Sequence, residues 1–289
     1  MASQMTIVVT GATGLLGEEV CNVFTGLGHE VVPMKGSDHI DITVAPQVID
    51  FVRNASPDLI VHTAAIRDPD VAEADPARAY LVNSAGSRHV ALAAELAGCP
   101  MVHISTDAVY DGEISGCYTE FHSTNPVSVY GHSKLAAERE VVATCLRHFI
   151  LRIPVLFGAT GPACSNTLLI AASRLRAGQT IRAAAEQICN PTYASDLAGA
   201  IAEIARTEFY GTYLVSNSGH TSRYTYMKRF AQLINADTSL VEPGSIHEKA
   251  ARRTRNTSLD CTLLHRTFGI SLRPWETALE DCVRRLGLA

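Results

Sequence analysis

Met5-Thr6-Ile7-Val8-Val9-Thr10-Gly11-Ala12-Thr13-Gly14-Leu15-Leu16-Gly17 decides how this chain folds. The apolar, β-branched run to Thr10 reads as a buried strand of a parallel sheet. It enters a glycine loop directly, and the apolar spacing over 15–27 reads as an amphipathic helix. Glycines at such a turn let the backbone approach a pyrophosphate, whose charge meets the amides of a helix starting near Gly14. The spacing is G-x-x-G-x-x-G, not the commoner G-x-G-x-x-G. Strand, loop and helix together predict an α/β fold, a Rossmann-type doubly wound parallel sheet that holds a dinucleotide.

Outward from this loop, βα alternation continues. Strands are expected over 30–34, 58–61, 100–105 and 148–152, with another over 211–215 returning to the sheet. Helices are expected over 42–54, with Thr43 as its cap, and over 75–97 and 127–147. Residues 67–73 read as a polar loop. Beyond Phe157 the alternation breaks up, with helices expected over 166–177, 192–206, 222–235 and 274–286. Residues 1–157, with about 190–217, are thus expected to form the NAD(P)-binding domain. Residues 158–189 and 218–289 would form a smaller, interleaved substrate lobe.

A second pair of segments carries the chemistry: His103-Ile-Ser-Thr-Asp107 and Tyr130-Gly-His-Ser-Lys134. Tyr130 and Lys134 are four apart, so on a helix both emerge on one face. A free tyrosine ionises near ~10, and a fixed cation beside it would favour the phenolate and bring it into working range. Thr106, at the mouth of the 100–105 strand, could hold a carbonyl oxygen being protonated. The strand ends carrying Gly11, Ala64-Ala65 and Thr106 converge on the edge where such sheets bind ligands. His62 reads as a structural strand-end histidine. The tip of the 30–34 strand reads Met34-Lys35-Gly36-Ser37, with no acid to take an adenosine ribose hydroxyl. Lys35 and Ser37 are therefore expected to receive the 2′-phosphate of NADPH, with NADH possible.

Composition excludes several other classes. The 289 residues carry a net charge of −5 with scattered Lys and Arg, which leaves no nucleic-acid footprint. Apolar runs fall short of the ~20 residues a membrane helix needs, and no signal peptide is expected before the first strand. A soluble, cytoplasmic protein is expected. The eight cysteines have no C-x-x-C or zinc spacing, so they read as reduced core residues. Glu18 and Glu19 are attributed to the helix dipole, and no metal is expected.

These motifs in this order resemble the extended short-chain dehydrogenase/reductases: Gly11-x-x-Gly14-x-x-Gly17, Ser105-Thr-Asp107, Tyr130-x-x-x-Lys134 and Leu151-Arg-Ile-Pro154. Within them the chain resembles the dTDP-4-dehydrorhamnose reductase family and its relatives, which include the regulatory beta subunit of methionine adenosyltransferase. Pro57-Asp58-Leu-Ile-Val61, Asp70-x-x-Glu73, Tyr118-x-Glu120, Asn190-Pro-Thr192 and Arg253-x-Arg-Asn256-x-x-Leu259-Asp260 carry that closer likeness. The resemblance implies that Tyr130 donates a proton, Lys134 tunes it and binds the nicotinamide ribose, and Thr106 orients a keto oxygen. It assigns the cofactor to Gly11, Thr13, Gly14, Leu15, Leu16, Gly17, Lys35, Ser37, Asp41, Ile42, Ala64, Ala65, Asn83, Ser105, Tyr130, Lys134 and Ile153. A nucleotide-activated keto sugar would meet Asp107, Asn166, Arg253 and Asn256.

Ala108 departs from the family pattern in two respects. Ala108 replaces an aromatic residue often found after Ser-Thr-Asp, and it lacks the acid that sugar-nucleotide dehydratases place there, which argues against elimination. The leading expectation is NADPH-dependent reduction of a 4-keto-6-deoxy sugar nucleotide. Arg67-x-Pro-Asp70-Val71-x-Glu73 supports the alternative of a non-catalytic, NADP-binding regulatory subunit; another ketoreductase or epimerase of the superfamily, and a homodimer, are further expectations.

Overall fold

The computed structural model describes residues 4–289, the side chains at positions 37 and 165 excepted. Six parallel strands form the central sheet: β1 (Thr6–Thr10), β2 (Glu30–Met34), β3 (Leu59–His62), β4 (Met101–Thr106), β5 (His148–Ile153) and β6 (Gly211–Leu214). Their spatial order is β6-β5-β4-β3-β1-β2. The chain runs from β1 outward to β2, then crosses back to β3. The carboxyl ends of β1 and β3 therefore flank the switch point where open α/β sheets bind ligands.

Alternation along the strands builds two cores. Ile7 and Val9 face a cluster with Leu16, Val20, Leu197 and Ile201, while Val8 faces Val48, Val90 and Ala94 on the other side. A separate cluster, centred on Leu168, Tyr226, Phe230 and Leu279, packs beyond the sheet. It is closed by Trp275, 4% exposed, at the start of the last helix. Among the described residues no helix is long and apolar enough to cross a membrane.

Several local expectations are corrected. The third helix in chain order spans Ala45–Ala55 and its N-cap is Val44, not Thr43. Asp41 takes the turn instead, its carboxylate accepting from the backbone N–H and hydroxyl of Thr43 at 2.9 and 2.8 Å. The 67–73 loop contains a short helix, Pro69–Ala74, whose cap is the Asp68 carboxylate. The helix expected over 75–97 is interrupted by a π turn at Leu81–Ala85. Thr192–Tyr193 is a short strand pairing with Leu156–Phe157, so the following helix begins at Ala194.

The π turn has a purpose that the sequence does not advertise. Asn83, fully buried, donates to the Ile66 carbonyl (3.0 Å) and the Ser133 hydroxyl (2.9 Å), and accepts from the Ile66 N–H (2.8 Å). Ser133 in turn donates to the Tyr130 carbonyl at 2.8 Å. One amide thus fixes the loop after β3 against the helix that carries Tyr130, as π bulges at functional sites often do.

Candidate active site

One cavity of about 710 Å³ opens along the carboxyl edge of the sheet, within the ~300–1,000 Å³ usual for ligand sites. Its first half is the glycine loop. Gly11 has φ +64°, and a Cβ there would lie 2.8 Å from the Ala64 N, so only glycine lets the β1 and β3 ends come together. A Cβ at Gly17 would fall 2.2 Å from the Gly11 carbonyl oxygen. These missing side chains leave a backbone cradle at the first turn of the helix Leu15–Gly26, suited to a diphosphate. Thr13, Leu15, Leu16, Asp41, Ile42, Ala64, Ala65 and Ile153 line the same half. The residues present therefore fit a dinucleotide, with Ile42 and Met34 offering an apolar slot for its base.

The two glutamates after the loop have tertiary roles, not only a dipole role. Glu18 accepts from the Gly161 N–H at 2.8 Å, and buried Glu19 pairs with Arg285 at 2.7 Å. They fasten the cradle to the 158–165 loop and the last helix.

At the centre of the cleft stands the Tyr130 helix, Val129–Thr144, capped by the Ser128 hydroxyl, which accepts from the Gly131 N–H. Tyr130 and Lys134 share its inner face. Thr106, 5% exposed at the end of β4, stands beside the Tyr130 phenol and acts on its ionisation, while its own hydroxyl donates to the Asp107 carboxylate at 3.1 Å. Burial pushes that phenol up to about 12, eased by Thr106 and reinforced by the Asp107 charge. The lowering expected from Lys134 is not found, the cation that acts on the phenol being Arg67, and the group is held as an acid. Lys134, 2% exposed, has its ammonium 3.3 Å from His103 Nε2. Burial lowers its pKa to about 8, with Glu138 pulling it back upward. Asp107 also faces the cleft, its carboxyl raised to about 6 by burial despite hydrogen bonds from Thr257 and Thr106.

Behind Lys134 lies a buried ion pair. Arg152 donates to Glu138 at 3.0 and 2.7 Å and to the Tyr110 hydroxyl at 2.9 Å. Ser105 donates to the same carboxylate at 2.5 Å. Its hydroxyl is therefore turned toward Glu138, while Ser105 still lines the cleft as expected.

Other expected contacts are also redirected. Asn83 is behind the cleft wall, its amide spent on protein partners, and acts on the cleft through Ile66 and Ser133. Lys35 is exposed and outside the cleft lining, where Gly36 takes its place. The Ser37 side chain is outside the described residues. Asn256 donates to the Ile114 and Gly116 carbonyls and accepts from the Ser258 N–H, so it clasps a loop away from the cleft. Asn166 does line the cleft, but its amide caps the helix Thr167–Arg176 and donates to the Gly158 carbonyl. Arg253 lines it too, while its guanidinium pairs with Asp70 at 3.0 Å. Asp70 also accepts from the Ala251 N–H, and Glu73 accepts from the Val129 N–H. Asp70-x-x-Glu73 is thus a brace between the 251–253 segment and the start of the Tyr130 helix.

The far half of the cleft is lined by residues that sequence reasoning passed over: Gln187, Arg223, Arg252 and Thr257. Arg223 sits at the first turn of the helix Arg223–Leu233 and its charge acts on Asp107. Cationic and hydroxyl groups here suit an anionic, polyhydroxylated ligand.

The RmlD substrate binding domain family matches residues 5–288. The chain belongs to this family. It is 31% identical to a dTDP-4-dehydrorhamnose reductase of Aggregatibacter actinomycetemcomitans, over 95% of this chain and 97% of that protein. The solved dTDP-4-dehydrorhamnose reductase of Bacillus anthracis, in complex with NADP, superposes with a TM-score of 0.91 at 32% identity, covering 98% of this chain and 99% of that one. An enzyme of the same description from Clostridium acetobutylicum superposes at 0.92 with 30% identity, covering 98% and 100%. Membership of the RmlD family agrees with a short-chain dehydrogenase/reductase fold over the whole chain.

Proposed function

We propose that the protein is an NADPH-dependent reductase of dTDP-4-dehydrorhamnose or a close 4-keto-6-deoxy sugar nucleotide. The observation that carries this reading is the Tyr130 phenol, with Thr106 and Lys134 beside it, inside a cleft continuous with the glycine cradle. Family membership and the reductases among its relatives support the same conclusion. When bound, NADPH supplies the hydride that converts the ketone to an alcohol.

The chain's own groups do the rest. Thr106 orients the keto oxygen by its hydroxyl, and Tyr130 Oη holds the proton that this oxygen receives. Lys134 supplies positive charge on the same helix face, favouring the phenolate left behind and offering donors to the nicotinamide ribose. Gly11, Gly14 and Gly17 seat the diphosphate, while Arg223, Arg252 and Asp107 serve the sugar nucleotide. Residues 1–157 and about 190–217 act as the cofactor domain, and 158–189 with 218–289 as the substrate lobe.

A panel of keto-sugar nucleotides, followed by loss of NADPH absorbance, tests the proposal. Turnover with dTDP-4-dehydrorhamnose at the highest kcat/KM of the panel is the expected result. NADPH binding without oxidation by any member of the panel would instead leave the regulatory-subunit reading.

A further inference from the structure

The buried face behind Lys134 carries a row of polar side chains across the middle of the sheet. Thr10, His62 and His103 occupy paired positions on β1, β3 and β4, and each is at most 1% exposed. His62 spends both ring nitrogens, on the Thr10 hydroxyl at 2.6 Å and the Ser87 hydroxyl at 2.9 Å. His103 stacks on His62 with ring centroids 5.4 Å apart and planes 30° from parallel. Its Nε2 lies 3.3 Å from Lys134 Nζ, and its Nδ1 has no hydrogen-bond partner.

Hydrogen-bond chemistry settles which way this contact runs. With Lys134 as the ammonium, which only donates, Nε2 accepts and the ring proton sits on Nδ1. That leaves a buried N–H without a partner, a costly arrangement that a purely structural histidine would avoid. The ring is oriented by stacking on His62 and by Lys134 instead. We propose that His103 is a positioning residue, a neutral acceptor that holds the Lys134 ammonium in place and in its charged form without cancelling its charge.

A carboxylate at this position would do the first and defeat the second. The nearest one, Glu138 on the same helix, is already matched by Arg152 from β5. Lys134 therefore keeps a positive charge at the cleft wall, where the Asp107 carboxylate acts against ionisation of Tyr130. Burial, followed by the charges of Lys134, His62 and His148, holds His103 well below the usual histidine range, so it stays neutral.

The role rests on the reductase reading for its kinetic consequence but not for its tautomer. In the intact protein, ¹⁵N shifts of the His103 ring should report an Nδ1–H tautomer that does not titrate between pH 5.5 and 8.5, values chosen as about one to two units around the free histidine pKa. An Nε2–H tautomer, or a titrating ring, would overturn the proposal whatever the substrate. Kinetically, His103→Leu removes the acceptor, so Lys134 should lose its proton more easily. The high-pH limb of kcat/KM for keto-sugar reduction, set by Lys134, should then move down by about one to two units. His103→Gln, which restores an acceptor, should return the limb to within a few tenths of a unit. An unmoved limb in a folded His103→Leu, or a His103→Gln that behaves like the leucine variant, would equally overturn it.

Discussion

Tyr130→Phe lowers kcat by about 10²–10⁴-fold, the range for loss of a general acid, while the NADPH dissociation constant stays within a few-fold. The ring keeps its place because the helix around it is held by Ser128, Ser133 and Asn83, none of which touches the phenolic oxygen. What disappears is the one proton stored on Oη beside Thr106. Steady-state kinetics on the keto-sugar nucleotide, paired with a fluorescence titration of NADPH, separates the two effects. Activity within tenfold of the parent would assign the proton to another group.

Glu138→Leu is expected to destabilise the protein by about 3–5 kcal/mol, because Arg152 is left charged and unmatched in the interior. In a chain of this size that corresponds to a fall in Tm on the order of 10 °C. Adding Arg152→Met should restore much of the loss, since a buried pair replaced by apolar groups is often close to neutral. Thermal unfolding of the single and double variants distinguishes this from a packing defect, for which the second substitution would add to the first. The restored double variant should still be slow, because Lys134 loses the carboxylate that supports its charge.

The parts of this molecule legible in its sequence are those fixed by short-range chemistry. The strand entering Gly11, the helix leaving Gly14 and the four-residue step from Tyr130 to Lys134 each depend on neighbours within one turn. All three stand in the structure as read. The long helix was legible in extent but not in its π turn, because Asn83 distorts it to satisfy Ile66 and Ser133, partners distant in sequence. Polar residues near motifs were the least legible. Asn256 and Asn83 looked like ligand contacts and prove to be clasps, since a buried amide is used up wherever backbone carbonyls are orphaned. Arg223, Arg252 and Thr257 gave no signal because only the return of the 218–289 segment to the sheet edge brings them opposite Asp107.

In the proposed reaction Thr106, Tyr130 and the nicotinamide converge on one ketone. A crystal structure of the ternary complex with NADP and the reduced dTDP-sugar tests it most directly. The sugar's C4 hydroxyl is expected within about 2.6–3.2 Å of Tyr130 Oη, with the dinucleotide diphosphate on the Gly11–Gly17 loop. A C4 hydroxyl turned away from Tyr130, or a dinucleotide bound elsewhere, would contradict it.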